Sequence, residues 1–315
     1  MVGDRQTAVK MLVTLGIIVV DAIWIIATDF SFDAASAIKV VAVCAFLLSV
    51  GWFYRVKRPM ENFEVMCVET ALLLAFSSAG AVLSYLVTSM NFPLIDPYLL
   101  KTDAVLGFDW MAYAGFVYSN PWLAMSASIV YITTISQIAL CVVVVGLSGD
   151  IIRSRRLGAA VIFSGLICIG VSGILPSAGA MGFLQPSHDF IAMGSPIVDL
   201  QYKQVFFDLR SGAERFISLD ALYGLIAFPS YHGTLSALVV ISLWSVPYLR
   251  FAALPFNLLV LAATPPEGGH HLTDTLAGVA VALLAWHLAG LFARKVPATK
   301  FAVANAAEQP VLAQL

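Results

Sequence analysis

The feature that most constrains this chain is a succession of apolar runs, each close to the length needed to cross a bilayer. A spanning helix requires about 20 mostly apolar residues. Eight segments qualify: Met11–Ala27, Ala37–Phe53, Val65–Val87, Leu123–Leu147, Leu157–Leu175, Tyr231–Val246, Phe251–Ala263 and Leu272–Phe292. The seventh is the shortest and carries Pro255. With 60% hydrophobic and only 11% charged residues, the whole chain shares this character, whereas soluble domains carry about 25% charged residues. Hydrocarbon offers no partner for backbone N–H and C=O groups, so such runs must close their hydrogen bonds internally as helices. The expected fold is an all-α, polytopic transmembrane helix bundle of about eight spans. The first run contains Asp21 and lacks a small-residue cleavage site, so it reads as a retained anchor. Cys44, Cys67, Cys141 and Cys168 all lie in apolar runs without a CxxC pair, which points to buried thiols and to neither a disulfide framework nor a zinc site.

Basic residues fix the expected orientation. With a cytoplasmic N-terminus, the cytoplasmic segments hold Arg5, Lys10, Arg55, Lys57, Arg58, Arg153, Arg155, Arg156, Arg250, Arg294, Lys295 and Lys300, twelve of the 17 basic residues. Both termini are then cytoplasmic, and the long polar stretches Thr88–Trp122 and Pro176–Ser230 face the other side. Trp24, Trp52, Trp122 and Trp244 fall near span ends, where amphipathic rings settle. No basic tract is present, which argues against nucleic acid as a partner. Asp21 and Glu69 lie at membrane depth, where a carboxylate is expected to bond a neighbouring helix.

Chemistry concentrates at the mouths of the last spans. Pro229 and Ser230 form a helix-start signal, placing His232 in the first turn of the sixth span, where free N–H groups favour an anion. In Gly268-Gly269-His270-His271-Leu272-Thr273-Asp274, His270 and Asp274 are spaced i,i+4 and share a face. A carboxylate on one ring nitrogen frees the other to attack, and Gly269 lets backbone and substrate approach closely. Lys203 and Arg210 lie in the outer stretch just before, both suited to phosphate oxygens. His271 is expected to pack beside the nucleophile. His188 and His287 are expected to take no part, and Asp103 and Asp109 suit either a substrate loop or plain solvation.

These residues resemble the three motifs of the type 2 phosphatidic acid phosphatase superfamily, KxxxxxxRP, PSxH and SRxxxxxHxxxD. Here they read Lys203 to Arg210, Pro229-Ser230-Tyr231-His232, and His270 to Asp274, in the family's order. Ser211 stands where the first motif has Pro, and Thr264 where the third has Arg. Phe228-Pro229-Ser230-Tyr231-His232, the Gly269-His270-His271 run and the Asp103–Trp110 segment are similar to the inositol phosphorylceramide synthase-like branch, which also lacks that Arg.

The resemblance implies N-terminal helices over residues 1–90, a six-helix phosphatase or phosphotransferase core over 91–293 with short interfacial helices around Asp96–Trp122, and a tail over 294–315. It implies an integral enzyme of the plasma membrane, working on the non-cytoplasmic face without metal or other cofactor. A phospholipid or lipid phosphate would be the substrate, and water or a polyol, inositol for instance, the acceptor. His270 would be the nucleophile oriented by Asp274, and His232 the acid and base. Arg210, Lys203, Ser230, Tyr231 and Gly269 would hold phosphate, with Arg210 carrying most of the charge in the absence of the Arg at Thr264. The alternatives are a transporter, which Asp21 and Glu69 would suit, and an inactive lipid-phosphate-binding member of the fold.

Overall fold

The computed structural model describes residues 2–294; Lys295, Lys300 and the rest of the expected tail lie outside them. The chain is almost wholly helical. In order come α1 (Val2–Ala27), α2 (Ala34–Val56), α3 (Glu61–Thr88), α4 (Asp96–Val105), α5 (Trp110–Tyr118), α6 (Pro121–Leu147), α7 (Ile151–Ile174), α8 (Gly179–Leu184), α9 (His188–Gly194), α10 (Leu200–Ser211), α11 (Tyr231–Leu243), α12 (Leu249–Gly268) and α13 (Leu272–Arg294). Side chains set many of the starts. Asp33, Asp109, Asp150, Ser187, Asp199 and Ser230 each accept a backbone N–H from the first turn that follows, satisfying donors that have no partner within the helix.

Seven of these helices are long and apolar enough to cross a membrane, so the chain is a multi-pass membrane protein. Their outer faces expose a belt of apolar side chains, including Ile26, Val41, Ile132 and Leu258. The expected sixth span departs from the other seven. Its apolar run continues to Val246, but α11 stops at Leu243 ahead of Pro247, which leaves 13 residues. At 1.5 Å per residue that is about 20 Å, against about 30 Å of hydrocarbon. The seventh is longer than expected, 20 residues, and accommodates Pro255, Pro265 and Pro266.

Helices α3, α6, α7, α11, α12 and α13 pack around one core of Phe76, Val145, Leu157, Ile162, Leu238 and Ala282. α1 and α2 lean on the outside of α3. A parallel pair of two-residue strands, β1 (Ser31–Phe32) and β2 (Phe216–Ile217), ties the α1–α2 turn to the segment after α10. α3 precedes residue 90 in the chain, yet it packs as an inner helix against α7.

Inside the bundle, Lys10 of α1 hydrogen-bonds Glu69 of α3, with both side chains almost completely buried. Gly158 of α7 lies against the same carboxylate, and any side chain there would overlap it. Glu69 thus bonds a neighbouring helix, whereas Asp21 is buried with its Oδ1 unpartnered among the described residues. Removing one member of a buried ion pair leaves an uncompensated charge, at a cost of about 3–5 kcal/mol, while apolar replacement of both is close to neutral. Glu69→Ala should therefore lower the thermal midpoint in detergent markedly, and the Lys10→Met/Glu69→Leu double variant should recover most of it.

Candidate active site

The site is organised around the break between α12 and α13. Helix ends leave four carbonyls without partners, and here other elements supply the donors. Trp110 Nε1 donates to the Pro265 carbonyl at 2.9 Å, Tyr118 Oη to Pro266 at 2.5 Å, and the Val198 N–H to Glu267 at 2.9 Å. Pro266 has no N–H to give the Ala262 carbonyl four residues earlier, and Tyr113 Oη donates to it instead at 3.0 Å. Gly269 then turns the chain with φ +64°, and a Cβ there would sit 2.7 Å from Met181 Cβ, so only glycine fits.

On the other side of the break, α13 begins against a single carboxylate. Asp103 of α4 accepts from Leu272 N–H (3.1 Å), Thr273 N–H (2.9 Å), Thr273 Oγ1 (2.6 Å) and His271 Nδ1 (3.1 Å). His271 Nε2 lies 3.4 Å from Asp96 Oδ1, and Asp96 also accepts from Ser177 Oγ and the Ala178 N–H. Burial opposes a charge on His271, but the bond to Asp103 and the nearby Asp96 carboxylate prevail and push its pKa up to about 9. Burial likewise opposes the Asp103 charge, and the donors from His271 and Thr273 hold it below the usual carboxylate range.

Between these two anchorages sits His270, just ahead of α13 rather than on it. Its Nδ1 is 3.0 Å from the Ala227 carbonyl and 3.4 Å from Asp274 Oδ2. A carbonyl can only accept, so Nδ1 carries the hydrogen and Nε2 is left with its lone pair. Nε2 lies 3.4 Å from Ser230 Oγ. Burial first, then the charge of Lys203, push the His270 pKa down to about 3. The ring is therefore neutral at ordinary pH, with the lone pair on Nε2. Asp274 is fixed by the His271 N–H at 2.9 Å.

Ser230 starts α11 by accepting from the Gly233 N–H at 3.3 Å, as the Pro-Ser pair predicts. His232 follows in the first turn. Its Nδ1 is 3.3 Å from Tyr131 Oη of α6, and the two rings stack at 4.2 Å and 17°. Lys203 of α10 is buried, and its ammonium makes no hydrogen bond or ion pair among the described residues. Burial lowers its pKa to about 8 against the opposing fields of Asp274 and Asp96. Lys203, Tyr231, His232 and His270 border a cavity of about 270 Å³, whose remaining walls are mostly apolar.

The family model described as the PAP2 superfamily matches residues 97–288, well over half of the chain. The chain belongs to the PAP2 superfamily. No curated protein and no solved structure matches it. The superfamily consists generally of metal-independent phosphatases, and the membrane-spanning helices make this a membrane-embedded member.

Of the residues aligned with the superfamily motifs, His270, His232, Asp274, Ser230, Tyr231, Lys203 and Gly269 converge. Arg210 does not border the cavity. Its Nη2 donates to the Phe92 carbonyl at 2.7 Å and its guanidinium lies over Phe206, so Lys203 is the cation beside the histidines. Thr264, at the motif's Arg position, is buried with its hydroxyl on the Val260 carbonyl of its own helix. His188 and His287 are exposed, away from the cavity. Sequence reading missed Tyr131, Asp96 and the Ala227 carbonyl. Tyr131 is one aromatic in an apolar run and carries no motif, whereas Asp96, in the Asp-Pro pair that opens α4, gave a weak signal.

Two pH dependences follow. The folded pKa of His271 lies above its unfolded value of about 6.5, so its stabilisation is complete below that pH and is lost as pH rises through about 9. Thermal scans should show this alkaline decline, and Asp103→Ala should be less stable and lack it. Lys203 carries its charge below about pH 8. Calorimetric affinity for inorganic phosphate should fall as pH rises past 8, persist to higher pH in Lys203→Arg, and be weak throughout in Lys203→Met.

Proposed function

We propose that this protein is a lipid phosphatase or phosphotransferase acting through a phosphohistidine on the non-cytoplasmic face of the plasma membrane. The observation that carries this reading is the unprotonated Nε2 of His270. It lies on a cavity wall shared with His232 and an unpaired Lys203, while its Nδ1 is tied to Ala227 and Asp274.

In the first half-reaction, His270 Nε2 attacks phosphorus and a P–N bond forms as the P–O bond to the leaving group breaks. His232 gives that oxygen its proton. Lys203 neutralises the equatorial oxygens, with the free N–H groups at the start of α11 beside it. In the second half-reaction His232 takes a proton from water or a polyol, the new oxygen attacks phosphorus and the P–N bond breaks. No metal enters the scheme. The site residue that stands for the motif's Arg, Thr264, brings no charge, which favours the branch that transfers head groups such as phosphoinositol.

A lipid substrate is favoured by the shape of the cavity. It runs from the histidines past Phe76, Gly80 and Ile138 to Ser77 of α3 and Ile135 of α6, both exposed on the outer surface of the bundle. An acyl chain would pass between those two helices into the surrounding hydrocarbon.

Purified protein incubated with a panel of phospholipids and lipid phosphates, with and without inositol, tests the reading. Phosphate release or head-group transfer is expected, insensitive to chelator, with acid-labile phosphate on the protein. His270→Ala should lose about 10⁴-fold or more of the activity. Near-normal turnover by that variant, or loss of turnover with chelator, would sink the scheme. Uptake of solute into proteoliposomes without phosphate chemistry would favour a transporter, and lipid-phosphate binding without turnover an inactive member.

A further inference from the structure

The two histidines are supported differently. His270 has a carbonyl and a carboxylate on its Nδ1. His232, which must become positively charged to act as an acid, has no carboxylate partner among the described residues. Its only hydrogen-bond partner there is Tyr131 Oη, at 3.3 Å, and the phenol ring covers its face at 4.2 Å. The titratable groups that border the cavity with it are His270, Lys203, Tyr223 and Tyr231, and Tyr202 and Glu267 act on Tyr131 behind it. The two cationic groups on the cavity wall, His270 when protonated and Lys203, would oppose charge on His232, and no carboxylate among the described residues lines the cavity to offset them.

Tyr131 is also rigidly placed. It is 3% exposed. Its hydroxyl lies against Gly268, where a Cβ would come 2.7 Å from Tyr131 Oη and 3.1 Å from His270 Nε2. The phenol therefore reaches the space between the two histidines while its ring fixes the plane of one of them. A cation centred over an aromatic face is stabilised by the ring's negative face, most strongly where water is excluded.

We propose that Tyr131 is a positioning residue for the acid–base step: its ring stabilises the imidazolium of His232, and its hydroxyl occupies Nδ1, so that Nε2 is the atom that passes the proton. The proposal rests on the phosphohistidine reading above. The proton balance is that already given, with His232 Nε2 losing its proton to the leaving oxygen and regaining one from the incoming water or alcohol.

The dependence on leaving group separates this role from simple packing. An alkyl phosphate leaves as a poor alkoxide and needs the acid, while an aryl phosphate such as 4-nitrophenyl phosphate leaves without it. Tyr131→Phe keeps the ring and loses the hydroxyl; Tyr131→Leu loses both. Single-turnover formation of phosphohistidine is measured with both substrates. For Tyr131→Leu, formation from the alkyl phosphate should slow by about 30-fold and from the aryl phosphate by no more than about twofold, a selective loss expected when acid catalysis is weakened. Tyr131→Phe should fall between Tyr131→Leu and the unaltered protein. Equal losses on both substrates, or wild-type rates on the alkyl phosphate, would overturn the proposal. Absence of phosphohistidine in the unaltered protein would instead remove the reading on which it rests.

Discussion

Backbone groups that lose their helical partners within an apolar bundle must find others, and the break between α12 and α13 is where this protein meets that demand. Two prolines, Pro265 and Pro266, and an abrupt restart would strand carbonyls on one side and N–H groups on the other. Trp110, Tyr113 and Tyr118 of α5 answer the carbonyls, and Asp103 of α4 answers the N–H groups. The loop segment between the third and fourth long helices thus acts as a clamp on the backbone around His270. His270 stands between the two sets of bonds, so its ring is aimed by groups that never touch the cavity.

The charges around the break are sorted in the same way. Asp103 and Asp96 spend their negative charge on His271, which leaves them little reason to pair with Lys203. A buried ammonium without a counter-ion is costly. An anion brought to Lys203 would offset that cost, and both histidines border the same cavity.

Much of this was legible in the sequence. Apolar run lengths give the helices because hydrocarbon permits little else, and the Pro229-Ser230 pair marks the start of α11 because its donors need a cap. The histidine pair and Asp274 converge as their motifs imply. Other features were not readable, for identifiable reasons. Lys203 and Arg210 are two helical turns apart on α10, which puts them on one face but about 10 Å apart along the axis. Spacing alone could not tell which level meets the cavity. Hydropathy saw apolar residues through Val246 and could not see that α11 ends three residues earlier. Asp103 was conspicuous, but its partners at 271–273 lie far along the chain, and only the packing of α4 against α13 joins them. α3 precedes the residues that carry the family match, yet Phe76 and Gly80 line the cavity.

The brevity of α11 has a consequence for how the two histidines meet. α11 covers about 20 Å between Ser230 and the turn that follows it. α12 starts after that turn and takes 20 residues, about 30 Å, to reach the break beside His270. Both histidines nevertheless border one cavity. Residues 244–248 therefore take up the remaining length, and a change in the length of that turn would reset the level of His232 against His270 without touching either ring.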